Sequence, residues 1–475
     1  MKLSRLWLFL AVALPVLATL IGSLATVDLT YLIRAGEGIL TTGVIPNVDT
    51  WTFTAAGLPW VDQQWGTEVV FATVYRLGGW TGLVLLRAVL VGIIFGCVYA
   101  ICRRRGGLSP RTSSILTLIT FSVAAVALGL RAQALGMTFF AVLLLLVSER
   151  RAHPRLLWVI PPLVLVWANV HGSFFLGPLV LGLAWLEDLN DHVPHPNRTL
   201  VVAIVSALAA CVTPFGPSVW IYAAGLTTNS AVTNDIAEWQ ATSIRTIPGL
   251  LFFGSVFGVA LVIARRGRAT PWPTLAWLAV FFLIGVYAAR GIAWWPLAAV
   301  VAVAGLLANP SREPAKPEPE AVPLFRRLNA AIVVLFVVVG IALLPVWRSV
   351  DARTGAPSGI LVYAPPGITS ALRDLAKPGD RLFNPQEWGS WFEFALPGLP
   401  VAMDSRIEFY PPDVWRDYSG VLAGGDGWER RIASWAPTIA VMAKRDQAIV
   451  DRFAKLGWRT VYSDADGSIM VAPGR

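Results

Sequence analysis

Apolar runs about as long as a bilayer is thick recur along this chain. A spanning helix needs roughly 20 predominantly apolar residues. Runs of that kind predict helices near 6–27, 81–102, 112–130, 133–149, 156–171, 174–188, 199–215, 249–265, 272–289, 291–308 and 328–347, about eleven spans in all. The first run follows Lys2 and Arg5. At about 20 residues it is longer than the apolar stretch of a secretory signal, so it reads as a retained first helix.

Between the runs, the polar segments differ in character. Residues 28–79 hold two helix-like stretches, 28–41 and 62–77, around a turn region rich in Pro, Gly and Thr. Residues 216–248 form a second long loop, and 309–327 is a Pro/Glu-rich linker ahead of the last helix. From about 356 the period changes. Short β-like runs at 381–383, 401–403, 438–442, 460–462 and 469–471 alternate with helix-like stretches at 369–376, 413–422 and 447–456. The expected fold is a mainly α, polytopic transmembrane bundle (1–308 plus 328–347) with a small extracytoplasmic α/β domain at 356–475. No internal repeat, P-loop or GxGxxG after a strand is present in the sequence.

Composition supports a membrane protein: 56% of residues are hydrophobic, only 14% are charged, and there are 21 tryptophans, the residue that favours the membrane–water interface. The net charge of +9 is carried mostly by arginines in short clusters between apolar runs. That is a topology signal and a contact for anionic lipid, not a nucleic-acid face. Arg103, Arg104, Arg105 and Arg111, then Arg150, Arg151 and Arg155, then Arg265, Arg266 and Arg268, then Arg312, Lys316, Arg326 and Arg327 all fall on one side if eleven helices alternate. With Lys2 and Arg5 they predict a cytoplasmic N-terminus and an extracytoplasmic segment 356–475. Cys97, Cys102 and Cys211 lie in or beside apolar runs, so the terminal domain has no thiol for a disulfide or zinc site.

The candidate chemistry collects at the other, outer helix ends and in the first outer loop. Ionisable side chains at a membrane edge are costly and tend to face a protein interior or a watery cavity. A transporter would place such groups near the midplane, and only Arg87 lies toward it. Asp28 directly follows the first run. It is placed either to take a proton from an attacking hydroxyl or to cap the next helix. Asp49, Asp62 and Glu68 are either solvated turn acids or a second carboxylate for a divalent cation or the acceptor. Arg131, with Gln133 beside it, and Arg290 are phosphate clamps or headgroup contacts. Asn169 and His171 end a run; His171 reads as an acid/base or phosphate partner, or as a hydrogen-bonded structural residue. Glu238, beside Trp239 and Gln240, suits contact with a sugar. In the terminal domain Asn384, Glu387, Trp388, Trp391, Asp404, Arg406 and Tyr410 cluster near strand ends without a nucleophile–base pair or metal-ligand spacing, so they read as docking residues.

These residues resemble a known family. A first span ending in Asp28-Leu29, a loop running through Arg34-Ala35-Gly36-Glu37, Gly43–Pro46, Asp49, Gly57-Leu58-Pro59-Trp60 and Trp65, then a multi-helix bundle and a terminal domain, look like the GT-C membrane glycosyltransferases. The nearer likeness is to bacterial GT-C-like proteins of largely uncharacterised function. Arg131-Ala132-Gln133, Trp167–Gly172, Thr213-Pro214-Phe215-Gly216, Glu238-Trp239-Gln240, Trp388-Gly389 and Asp404-Ser405-Arg406 extend the likeness over essentially the whole chain. The resemblance implies a polyprenyl-phosphate-linked sugar as donor and Asp28 as the acidic base. Leu29 stands where such enzymes often carry a second acid, and Leu32 and Gln63 stand where the nearer group often carries His, so a divalent cation is not assured.

The implied function is an inverting sugar transfer from a lipid-phosphate donor to a hydroxyl of a cell-envelope glycan, lipid or protein. In it Asp28 and His171 are the expected catalytic residues, and Arg131, Gln133, Arg290, Glu238, Asp49 and Asp62 the substrate-binding ones. The expected partners are membrane lipids, the lipid-linked donor and that acceptor, with no nucleic acid. Two other readings fit the same residues: a non-catalytic membrane scaffold of the same fold, and a lipid-linked glycan transporter or polymerase.

Overall fold

The computed structural model describes residues 1–228, 237–308 and 323–475. Among the described residues, six helices are long and apolar enough to cross a membrane: Leu3–Ile21, Trp65–Arg104, Pro110–Ala127, Gly172–Asn190, Ile247–Arg266 and Pro323–Ala342. Shorter apolar helices at Ala132–Ser148, Pro154–Ala168, Asn197–Ala209, Trp272–Tyr287 and Trp295–Leu307 supply a match for each remaining predicted run. The chain is a multi-pass, mainly helical membrane protein. The Pro/Glu-rich linker lies outside the described residues up to 322, and 323–327 already belong to the last long helix.

Two compact units divide the chain. The first comprises Met1–Ile21 and Val84–Leu344, and the second Gly22–Leu83 and Pro345–Arg475. The structure thus groups the first outer loop with the terminal domain, whereas its apolar flanks had suggested the bundle.

In the first unit, local signals fix the helix starts. Ser109 caps the helix at Pro110 by accepting the Thr112 amide at 3.1 Å, and Thr246 does the same for Gly249 at 3.2 Å. The helix Trp295–Leu307 is buried on nearly every face, as expected of a helix hydrophobic all round. Indoles in this apolar core find partners: Trp277 Nε1 donates to the Ala298 carbonyl at 2.9 Å and Trp295 Nε1 to Ser255 Oγ at 2.8 Å. Arg87 is buried and donates to the Thr19 carbonyl. At one end of the bundle the arginine clusters meet acids: Arg150 Nη2 lies 2.8 Å from Asp188 Oδ1, and Arg151 Nη1 2.8 Å from Asp191 Oδ2. Arg131 precedes the helix Ala132–Ser148 and Arg150 follows it, so the two lie at opposite ends of that helix.

In the second unit, the strands are β1 (Val350–Asp351), β2 (Ala356–Pro357), β3 (Leu382–Phe383), β4 (Ile439–Ala443), β5 (Arg459–Ser463) and β6 (Gly467–Val471). The last four form one sheet in the order β3-β4-β6-β5, with β3–β4 parallel and the other pairs antiparallel. Every residue of β4 is buried. The helix Leu29–Thr42 ends at Gly43, whose φ of 71° is the left-handed cap conformation. It packs on the helix Gln386–Ala395, and a Cβ at Gly36 would meet the Glu68 carbonyl oxygen at 2.0 Å. Gly79, with φ 55° and ψ −148°, breaks the long helix Trp65–Arg104.

Candidate functional site

The polar end of the first unit is assembled from helix termini. Arg131 is the N-cap residue of Ala132–Ser148, His171 the N-cap residue of the short 3-10 turn Gly172–Phe175, and Arg290 lies in the turn Ala289–Ala293 before Trp295–Leu307. His171 is buried, and the charges acting on its imidazole are Arg290 and Arg131. Three residues singled out separately in the sequence therefore share one neighbourhood. Gln133 is buried and its Nε2 donates to the Arg290 carbonyl at 3.3 Å, which ties the arginine's turn to the neighbouring helix. Its role here is to hold Arg290.

The segment 237–242 covers both arginines. Arg131 Nη1 donates to both Glu238 oxygens, at 2.9 and 2.8 Å, and the Arg290 guanidinium carbon lies 5.5 Å from the Trp239 ring centre. The Thr242 amide donates to the Val286 carbonyl at 3.0 Å and the Ala289 amide to the Gln240 carbonyl at 2.9 Å, which fixes the segment. Burial works to raise the Glu238 carboxyl, but Arg131 and Arg290 outweigh it and hold it below the usual carboxylate range. Glu238 was expected beside a sugar; the structure gives it to Arg131. Asn169 donates to the carbonyls of Leu165 at 2.9 Å and Val212 at 3.0 Å, a structural role.

The second unit holds the acids. Asp28 is the N-cap residue of Leu29–Thr42, yet its backbone is helical and its side chain makes no capping hydrogen bond to that helix. The capping alternative is therefore not realised. Four carboxylates, Asp28, Glu408, Glu68 and Asp62, act on the buried Tyr31 hydroxyl, so Asp28 lies in an acidic neighbourhood. Asp62 and Glu68 are buried, and Asp62 Oδ2 and both Glu68 oxygens lack a hydrogen-bond donor. The two acids act on each other. Burial pushes Asp62 up to about 6, with Glu68 and Arg406 opposing.

A pH prediction follows with a definite sign. A carboxyl raised from its ordinary 3.8 to about 6 makes the folded state bind the extra proton between those values. Its contribution is full below about pH 4 and lost as pH rises through about 6, by about 3 kcal/mol. Asp62→Asn is thus expected to raise the thermal midpoint at pH 7.5 and to leave it nearly unchanged at pH 4. Equal shifts at both pH values in a melting series would contradict the raised Asp62 carboxyl.

Asp49 was expected in a solvated turn or at substrate. It is instead 1% exposed and bound to Arg406 Nη2 at 2.6 Å, while accepting the Thr52 amide at 3.0 Å and hydroxyl at 2.7 Å. Arg406 also binds Asp404 at 2.5 Å through Nη2 and lies 4.5 Å from the ring centres of both Trp51 and Trp60. Burial and Asp404 push the neighbouring Glu393 carboxyl well up, so Glu393 adds no third full negative charge beside Asp49 and Asp404. Ser405 donates to the Val27 carbonyl at 3.3 Å, and Thr54 to the Ala402 carbonyl at 2.5 Å. Docking onto the bundle was expected of this cluster; among the bonds described, Arg406, Ser405 and Ala402 meet the first outer loop, while Asp404 and Tyr410 bond within the terminal segment. Among the described residues, no three His, Cys, Asp or Glu side chains converge to hold a metal ion.

No protein-family model and no curated protein sequence matches this chain. Solved structures do. The archaeal oligosaccharyltransferase AglB from Archaeoglobus fulgidus, in complex with an inhibitory peptide and a dolichol-phosphate, aligns with TM-score 0.58 and 12% identity over 93% of this chain and 69% of its own. ArnT from Cupriavidus metallidurans, bound to undecaprenyl phosphate, aligns with TM-score 0.55 and 16% identity over 98% and 97% of the two chains. This is the GT-C fold. The arabinofuranosyltransferase AftD from Mycobacteria carries the same GT-C fold, at TM-score 0.56 and 18% identity over 99% of this chain and 42% of that one.

Sequence reasoning singled out Arg131, His171 and Arg290 because a polar group at an apolar helix end is conspicuous. It missed Ser173 and Gly136, which contact His171 (below). A small residue near a helix start carries no charge signal, and only the packed backbone brings it to the ring.

Proposed function

We propose that this protein is a membrane glycosyltransferase that moves a sugar from a polyprenyl-phosphate donor to an acceptor hydroxyl, with inversion. The observation that carries the reading is the pair of arginines acting on a buried imidazole at one end of an apolar GT-C bundle. Guanidinium donors match phosphate oxygens in geometry and charge. Arg290 and Arg131 hold the phosphate, whose negative charge grows as the anomeric C–O bond breaks. The acceptor oxygen forms the new bond to the anomeric carbon, its proton passes to Asp28, and polyprenyl phosphate leaves. Asp62, which sits with Asp28 in the acidic neighbourhood of Tyr31, helps orient the acceptor. Among the described residues no three His, Cys, Asp or Glu side chains converge as a ligand set for a divalent cation, and these steps use the chain's own groups.

Binding of undecaprenyl phosphate to the purified protein in lipid nanodiscs tests the phosphate site. Arg290→Ala is expected to weaken it about tenfold to a hundredfold, the usual cost of losing a hydrogen bond to a charged group. Glu238→Gln removes the carboxylate that competes for Arg131, so it is expected to bind more tightly. Affinity unmoved by either change would sink the assignment.

The arginine distribution supports an N-terminus in the cytoplasm and a site on the extracytoplasmic face of a bacterial plasma membrane. A periplasmic reporter fused after Arg475 is expected to be active; activity only from a cytoplasmic reporter would reverse the orientation.

A further inference from the structure

The hydrogen bonds around His171 determine which of its nitrogens carries the proton. The Ser173 amide donates to His171 Nδ1 at 3.1 Å. An amide N–H has no acceptor capacity, so Nδ1 must present its lone pair. Ser173 Oγ lies 2.7 Å from the same nitrogen, and Trp167 Nε1 lies 3.2 Å from Ser173 Oγ. The indole only donates, so the serine oxygen accepts from Trp167 and turns its own proton toward Nδ1. Two donors therefore converge on Nδ1, and the proton of the neutral ring resides on Nε2. Protonating Nδ1 would set an N–H against an amide N–H that cannot turn away.

Gly136 closes this arrangement from the next helix. A Cβ there would lie 2.9 Å from Ser173 Oγ, 3.1 Å from His171 Nδ1 and 3.3 Å from Trp167 Nε1. With Arg131 and Arg290 acting on the same ring, the site offers donors and no proton acceptor on the imidazole. That set suits a ligand made of acceptor oxygens.

We propose that Trp167, Ser173 and Gly136 are positioning residues that lock His171 as a neutral Nε2–H donor to a phosphate oxygen, and that His171 takes no part in proton transfer. The proposal rests on the reading of this end of the bundle as the donor-phosphate site, and it separates the two roles open to His171 in the sequence. Proton acceptance falls to Asp28 alone.

Two readouts test it. The chain has four histidines, so nitrogen NMR of the histidine-labelled protein in nanodiscs is resolvable, with the His171 signals identified by their loss in His171→Gln. The expected result is an Nε2–H tautomer that persists between about pH 5 and 8, where an ordinary imidazole titrates. An Nδ1–H tautomer, or conversion to imidazolium in that range, overturns the lock. Binding of undecaprenyl phosphate tests the donor role. The Gln side-chain amide reaches the position of Nε2 and the Asn amide that of Nδ1. His171→Gln should therefore bind within about threefold of the parent, while His171→Asn and His171→Ala lose about tenfold or more. Gly136→Ala, whose Cβ would crowd the serine oxygen and Nδ1, should give an intermediate loss, and Ser173→Ala, which keeps the amide donor and loses only the hydroxyl, should keep Nε2–H as the main tautomer with a smaller loss. A His171→Gln protein as weak as His171→Ala overturns the donor role. A parent protein that binds no undecaprenyl phosphate fails the phosphate reading itself, and the NMR result still decides the tautomer.

Discussion

Asp28→Asn should abolish sugar transfer while leaving the protein folded and able to bind undecaprenyl phosphate. Asn keeps the size of Asp and most of its hydrogen bonding but cannot take the acceptor's proton. Losing a general base typically costs about 100- to 10,000-fold in rate. Asp28 stands at the N-cap position of Leu29–Thr42 without a side-chain capping bond, so the substitution breaks no cap of that helix. Transfer measured in membranes with matched expression checks it. Undiminished transfer would remove Asp28 as the base and point to Asp62 in the same acidic neighbourhood.

Arg406→Ala should have the largest effect on stability. The guanidinium is almost fully buried between two tryptophans and binds Asp49 and Asp404. Its removal leaves those two anions buried without a counter-ion. Breaking a buried pair by removing one partner costs about 3–5 kcal/mol. Since one partner comes from the first outer loop and the other from the terminal segment, the whole second unit should loosen. Limited proteolysis should show new cleavage in both 22–83 and 345–475, with a lower thermal midpoint. Lys in place of Arg should rescue poorly, because a point charge cannot span two carboxylates and lie against two rings. Neutralising both acids together with the arginine (Arg406→Met, Asp49→Asn, Asp404→Asn) should recover much of the loss. An Arg406→Ala protein with parental stability would show that the hub is dispensable.

Much of the helical architecture was legible because span length is dictated by the bilayer, so each apolar run found its helix. The strands β4, β5 and β6 were legible for a similar reason: β-branched and apolar residues alternate with polar ones or run continuously where the strand is buried on both faces. The helices Gln386–Ala395 and Trp428–Trp435 were not seen. The first contains Gly389 and Ser390, poor helix formers on intrinsic preference, and forms because Gly389 packs against the Met403 carbonyl, where a Cβ would sit 2.0 Å away.

The candidate site divides along the same line. Arg131, His171 and Arg290 were visible as isolated polar groups at apolar ends, but their partners were not. That Glu238 binds Arg131, that Gln133 holds the Arg290 turn, and that Ser173 feeds His171 Nδ1 depend on which helix ends meet. Asp49 was misplaced in a solvated turn because the arginine that buries it lies 357 residues away. Long-range ion pairs leave no local pattern.

The most direct test of the account is a structure of the purified protein bound to undecaprenyl phosphate in nanodiscs. The account predicts the phosphate at the Arg131 end of the bundle, with oxygens about 3 Å from the Arg290 guanidinium and from His171 Nε2. A phosphate held elsewhere, with Arg290 and His171 still turned to protein partners, would contradict it.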